Sequence, residues 1–225
     1  MTHIPGDGLA VPQRYGAILT LMLGLMMAVL DGVIANVALP TIARDLQASP
    51  AHAIWIINAY QIAVIVSLLP LSFLGDMFGY RRIYRWGLVL FTFTSLLCGF
   101  STSLEMLTLA RIAQGLGGSA LMSVNIALIR LIYPRHELGR GLGLNAFIVA
   151  VCAAAGPTVA SAILAVAPWQ WLFLINIPLG ITALLLALRY LPANPEKAER
   201  PRFDTPSALM NALTFGLLIS AMTGF

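Results

Sequence analysis

Residues 16–39 read GAILTLMLGLMMAVLDGVIANVAL, twenty-four positions from Gly16 to Leu39 with a single ionisable side chain, Asp31. A helix needs roughly 20 apolar residues to cross a hydrocarbon core of about 30 Å. This run has that length and lacks the period-2 alternation of a barrel strand, so it predicts a membrane-spanning helix. It reads as a span rather than a cleaved leader: no clearly basic region precedes it, it is too long for a leader's apolar core, and Asp31 interrupts it.

Outward from this run, five more stretches meet the same requirement: Ile54 to Leu74, Ile83 to Ser101, Leu104 to Ile132, Gly141 to Ala167 and Trp169 to Leu188. A seventh begins near Ser207 and is still apolar at Phe225. The 225 residues are 59% apolar and 10% charged, against roughly half and about a quarter in soluble domains. The expected fold class is therefore an all-α integral membrane protein. Residues 1–190 form six spans, 191–206 (LPANPEKAERPRFDTP) a proline- and charge-rich linker, and 207–225 the start of a seventh span. The net charge is only +4, and the basic residues fall between apolar blocks rather than in a stripe, which excludes a nucleic-acid partner. Cys98 and Cys152 share no zinc or CxxC spacing and read as small buried hydrophobes, so no metal is expected.

Orientation follows from the basic residues. With the N-terminus cytoplasmic, eleven of the thirteen fall on the inner side: Arg14, Arg81, Arg82, Arg85, Arg130, Arg135, Arg140, Arg189, Lys197, Arg200 and Arg202. Only Arg44 lies outside, in a loop expected from Pro40 to Ala53, and Arg111 lies within a span. That asymmetry is a positive-inside signal. Tyr15, Tyr84, Tyr133 and Tyr190 then mark the inner boundary, and Trp55, Trp169 and Trp171 the outer one.

Ionisable groups at depth cost free energy, at least ~2.5–3.5 kcal/mol on insertion scales, so Asp31 and Arg111 are functional suspects. Counting helical rise from the outer end of each span puts Asp31 about 13 Å deep and Arg111 about 10 Å deep. Opposite charges at matching depths on two helices make a buried pair reasonable. Two readings stand. A buried carboxylate is neutralised by desolvation and charged by an adjacent arginine, so a conformational change that alters either can move a proton. Alternatively, the pair is a permanent lock between two helices. Arg111 cannot release a proton at working pH, which leaves Asp31 as the titrating group. Asn36 either lines the same cavity or bonds a neighbouring helix. Asn58, Gln61, Gln114, Asn125 and Asn145 read as interhelical contacts. In QGLGGSA, Gly115, Gly117 and Ala120 have dinucleotide-loop spacing but lie inside an apolar helix, where small residues permit close packing. Pro157, after the small-residue run Ala153–Gly156, should bend the fifth span and make a hinge or sliding surface.

These segments, in this order, resemble the major facilitator superfamily, and within it the fourteen-span drug:proton antiporters. LDGVIANVALP (Leu30–Pro40) is similar to that group's first-span motif through Asp31, Asn36 and Pro40. SFLGDMFGYRR (Ser72–Arg82) resembles the superfamily's loop signature, with Asp76, Gly79, Arg81 and Arg82 as its conformational-switch loop; Ser72 and Met77 depart from it. LTLARIAQGLGG (Leu107–Gly118) resembles the fourth-span motif through Arg111, Gln114 and Gly115. CAAAGPTVAS (Cys152–Ser161) resembles the antiporter motif through Gly156 and Pro157, and WQWLFLINIPLG (Trp169–Gly180) the sixth-span signature of these exporters. The likeness is to enterobacterial-type inner-membrane exporters. It implies a six-helix N-terminal bundle and proton-coupled efflux of amphiphilic or cationic compounds, driven by the proton gradient with no cofactor. It also implies a C-terminal half that this chain lacks.

A second function remains open: a truncated, non-transporting membrane protein that oligomerises or binds a full-length transporter. An intramembrane enzyme is not supported, since there is no HExxH, no pair of catalytic carboxylates and no Ser-His or Ser-Lys arrangement, and His3, His52 and His136 fall in tails or loops.

Overall fold

The computed structural model describes residues 8–193. Six long helices carry these residues, and their ends follow from local chemistry. The first, α1 (Val11–Asp45), opens with a proline in its first turn, where the missing N–H costs nothing. The next two, α2 (Trp55–Phe78) and α3 (Tyr80–Gly99), are separated by Gly79 alone; its φ of +106° lets the chain turn without a loop. The fourth, α4 (Leu104–Ile132), is capped by Ser103, whose side chain accepts from the Met106 N–H at 3.2 Å. Glu105 in its first turn and Arg130 in its last complement the helix dipole. A 3-10 turn at Arg135–Glu137 leads into α5 (Leu138–Val166). The sixth span is split into a turn at Trp171–Leu174 and α6 (Asn176–Tyr190). Pro178 has no N–H for the Leu174 carbonyl, so the ladder is interrupted at Ile175.

Among the described residues, five helical segments are long and apolar enough to cross a membrane: Val11–Asp45, Pro50–Phe78, Leu104–Ile132, Arg135–Val166 and Trp171–Tyr190. The helix Tyr80–Gly99 has 20 residues, which is a spanning length, but Arg81, Arg82 and Arg85 occupy its opening turns. Most of the expected linker and the start of a seventh span lie outside the described residues.

Two expectations need correction. Residues 40–53 are not an open loop: α1 runs through Pro40 to Asp45, and Pro50–Ala53 forms a further turn. Burial drives the extension, because Ile42 and Ala43 on that last turn are inside the bundle, and Trp169 Nε1 donates to Asp45 Oδ2 at 2.7 Å. Packing outweighs the one backbone bond that Pro40 removes. Second, Tyr84 and Trp169 are core residues rather than interfacial anchors. Both are fully enclosed, and the Tyr84 hydroxyl donates to the Thr20 carbonyl at 3.0 Å. Tyr15 and Trp171, by contrast, are exposed.

Helix α4 is sandwiched between α2 and α3, while α1 packs on α4, α5 and α6. Close approach is set by glycines on α4. A Cβ at Gly117 would lie 2.7 Å from the Phe91 backbone nitrogen, and one at Gly115 2.7 Å from the Tyr60 carbonyl oxygen. Backbone cannot step aside as a side chain can. Gly117→Leu is therefore expected to destabilise the protein by about 1–3 kcal/mol or more. Gly143→Leu, where an added Cβ meets nothing within 4 Å, should shift little. Thermal unfolding in detergent compares the two, and equal losses would refute the close-contact account.

The interior holds two apolar clusters. One gathers Met27, Tyr60, Phe91, Leu121 and Ala183; the other gathers Ile34, Ile56, Cys98, Leu107 and Phe173. Along each of α1, α3 and α4, the switch from one cluster to the other falls beside a buried polar side chain: Asp31, Ser95, and Arg111 with Gln114. Asn176 holds the same place on the sixth span, between Phe173 and Ala183.

Candidate functional site

At that level Arg111 of α4 donates through Nη1 to Asp31 Oδ2 of α1, and the same nitrogen reaches Gln114 Oε1 at 2.7 Å. Asp31 Oδ1 accepts from Gln114 Nε2 at 3.0 Å and from Asn176 Nδ2 at 3.1 Å. Gln114 Nε2 also donates to Ser95 Oγ at 2.8 Å, and its oxygen accepts from the Cys98 thiol at 3.4 Å. Helix α2 supplies an aromatic floor: the Arg111 guanidinium lies 4.0 Å from the Tyr60 ring centroid, and Arg111 Nε reaches the Ile56 carbonyl at 3.4 Å. Arg111 Nη2 has no hydrogen-bond partner among the described residues, and the ring faces compensate it electrostatically.

The arrangement has a definite chemistry. Asp31 is 2% exposed and Arg111 0%, so an ion pair in this setting is sustained only by good geometry and satisfied neighbours. Every partner of Asp31 is a donor, as an ionised carboxylate requires. The three bonds come from α4 and α6 and leave one lone pair of Oδ2 open. A proton there would displace none of them but would remove the negative charge that strengthens all three. The charge on Asp31 thus bears on how α1 is held against α4 and α6.

The other expected residues fall at three places. Asn36, on the same helix, is not joined to this network: it is exposed, and its amide donates to the Gly32 carbonyl at 2.8 Å. Gly156 is buried where α5 meets α1, and a Cβ there would lie 2.6 Å from Val33 Cγ1, two residues past Asp31. Pro157 beside it is exposed, and α5 continues helical through it. Asp76 accepts from the Tyr80 hydroxyl across the Gly79 turn. Arg81 Nη2 donates to the Leu188 carbonyl at 3.4 Å, at the end of α6, while Arg82 is exposed.

Sequence reasoning missed Asn176, Ser95, Tyr60 and Arg85. Arg85 donates to the Ala187 carbonyl at 3.1 Å and the Leu188 carbonyl at 2.9 Å. Its i+4 spacing from Arg81 was a usable signal, since both then face one helix end whose carbonyls lack partners. Asn176 had a weaker one: an amide in an apolar run two residues before a proline.

Comparison with known proteins gives this geometry a setting. The family model of the Major Facilitator Superfamily matches residues 21–225. The chain is 69% identical to the uncharacterized transporter YebQ of Escherichia coli (strain K12), over all of this chain and 49% of that protein. It is 33% identical to the riboflavin transporter RibZ of Clostridioides difficile (strain 630), over 93% of this chain and 46% of the relative. It is also 33% identical to the tetracenomycin C resistance and export protein of Streptomyces glaucescens, over 100% of this chain and 43% of the relative. The chain thus spans about half the length of the curated relatives it matches. Its fold is that of the crystal structure of a bacterial homolog to the human lysosomal transporter Spinster, inward-facing and unoccupied. The TM-score is 0.67 at 18% identity, covering 88% of this chain and 47% of that one. Helices of spanning length, the shared fold and the family match agree: this chain is an integral membrane protein and belongs to the major facilitator superfamily of transporters.

Proposed function

We propose that this chain is the N-terminal six-helix half of a proton-coupled exporter of amphiphilic or cationic compounds, with Asp31 as the proton carrier. The observation that carries the reading is the buried network in which Asp31 accepts from Arg111, Gln114 and Asn176. The relatives span a second stretch of comparable length, which supports a partner half packed on this one. The working unit then has two bundles with the substrate cavity at the bilayer midplane between them, and it alternates by rocking one against the other. The N-terminus faces the cytoplasm of a bacterial inner membrane, in keeping with the basic residues.

In this account α1 is the moving register. Tilting α1 against α4 and α6 lengthens the bonds at Asp31, exposes the carboxylate to water on one side and lets it take a proton. Restoring the packing returns the negative charge to Arg111 and expels the proton. Gly156 serves as the bearing for that motion, since its missing Cβ admits Val33 of α1. Asp76, Gly79, Arg81 and Arg82 form the switch at the end of the bundle, where Gly79 hinges α2 to α3 and Arg81 holds the end of α6. Asn36, exposed beside this network, faces the substrate path rather than the proton.

The test is efflux of ethidium by the intact protein in vesicles with an imposed proton gradient. Accumulation against a concentration gradient, stopped by an uncoupler, is the expected result; transport indifferent to the uncoupler would remove the proton from the account. Within the same assay Asn176→Leu should lower uphill transport several-fold, while Asn36→Ala should leave its dependence on the gradient intact and change only substrate affinity. The reverse ranking would place Asn36, not Asn176, in the coupling network.

A further inference from the structure

Between the start of α3 and the end of α6, beside the switch loop, lies an open groove of about 550 Å³. Three guanidiniums from the first two turns of α3 line it, Arg81, Arg82 and Arg85, and among the described residues no carboxylate does. Arg81 and Arg85 each spend donors on the neutral carbonyls at the end of α6, which orients them without cancelling their charge. Arg81 Nε is shielded from solvent yet has no hydrogen-bond partner among the described residues, and Arg82 is exposed. The positive end of the α3 dipole adds to the same field, since Gly79 and the helix start border the groove.

Away from the arginines the wall turns apolar. Trp86, Val89, Leu184 and Leu188 line it, and Trp86 is 66% exposed. A large aromatic at the rim of an apolar wall is the side chain favoured at the headgroup level of a bilayer. Positive charge above and lipid-like surface below describe an amphiphile, not a free ion.

We infer that this groove binds an anionic phospholipid of the surrounding bilayer, with its phosphate among Arg81, Arg82 and Arg85 and an acyl chain along Trp86 and Val89. Guanidinium forks match phosphate oxygens in geometry as well as charge. Basic pockets between transmembrane helices select anionic head groups, whereas a phosphatidylcholine brings a quaternary ammonium that three arginines repel. The bound lipid ties the start of α3 to the end of α6. The inference rests on membrane residence and not on proton coupling, so each can fail while the other stands.

The test is native mass spectrometry of the intact protein in neutral detergent, titrated with phosphatidylglycerol or with phosphatidylcholine of the same acyl chains. Phosphatidylglycerol should bind at least about tenfold more tightly, as expected for three arginines at a charged head group. Arg82→Gln should weaken that preference, and the Arg81→Gln, Arg82→Gln, Arg85→Gln triple variant should abolish it. Arg140→Gln, an exposed arginine outside the groove, should leave it unchanged. If the triple variant does not fold, Arg82→Gln against Arg140→Gln decides alone, because an exposed side chain carries little of the fold. Equal binding of both lipids, or equal effects of Arg82→Gln and Arg140→Gln, would overturn the inference. So would competition by inorganic phosphate at the lipid's own concentration, which would assign the site to a free anion. A preference that emerges only after Glu196→Gln and Glu199→Gln would assign the groove to the chain's own linker, and would overturn it equally.

Discussion

Replacing Asp31 with Asn is expected to reduce proton-driven efflux by the intact protein to the level of vesicles without it. Asparagine keeps the size of the side chain and two of its acceptor contacts, those from Gln114 and Asn176 on Oδ1. What it loses is the ability to be charged and discharged. The variant should therefore still bind substrate and still exchange it down a gradient, while uphill transport disappears. It should also be less stable, because Arg111 is left enclosed without a counter-charge; breaking a buried pair from one side costs about 3–5 kcal/mol. Unchanged gradient-driven efflux in this variant would remove Asp31 from the mechanism.

Arg111→Ala should cost as much stability by the mirror argument, and should also end transport. Without the arginine, Asp31 is a lone buried carboxylate that keeps its proton rather than pay the cost of burying a charge. Arg111→Lys should not rescue. A lysine has one nitrogen, so while it serves Asp31 and Gln114 it has none left for the Ile56 carbonyl that Arg111 Nε reaches, and it cannot lie flat over the Tyr60 ring as the guanidinium does at 4.0 Å. The combination of Asp31→Asn with Arg111→Gln separates the two roles of the pair. It removes both charges together, so it should recover much of the stability lost in either single variant, while efflux stays absent. Recovery of efflux along with stability would show the pair to be a lock and nothing more.

Both variants act on a site whose main members were legible in the sequence. Asp31 and Arg111 stand out because a charge inside an apolar run is expensive and must have a reason, and helical rise alone puts them at one depth. The spans were legible because each is a long unbroken apolar block. Neutral groups carry no such signal. Gln114 reads as any interhelical amide, yet it makes four bonds and joins α1, α3 and α4. Asn176 meets Asp31 through the packing of α6 on α1, which an amide in an apolar run does not announce. Pro40 misled in the other direction, because nothing local reveals that Ile42 and Trp169 will bury the turn beyond it. Tyr84 misled for a related reason: a tyrosine near a row of arginines looks interfacial until its hydroxyl is seen to meet the Thr20 carbonyl inside the bundle.

The two apolar clusters enclose the site in this conformation. Asp31 sits at the seam between them, with Met27 toward one and Ile34 toward the other. On the proposed mechanism, proton exchange is gated by the packing of α1 rather than by a standing channel, and a substrate that rearranges that packing should change the charge on Asp31. The most direct measurement is proton release on substrate binding, followed with a pH-sensitive dye in weakly buffered solutions of the purified intact protein. The account predicts release by the wild type and none by Asp31→Asn, at equal occupancy by substrate. The same release from both proteins would contradict it.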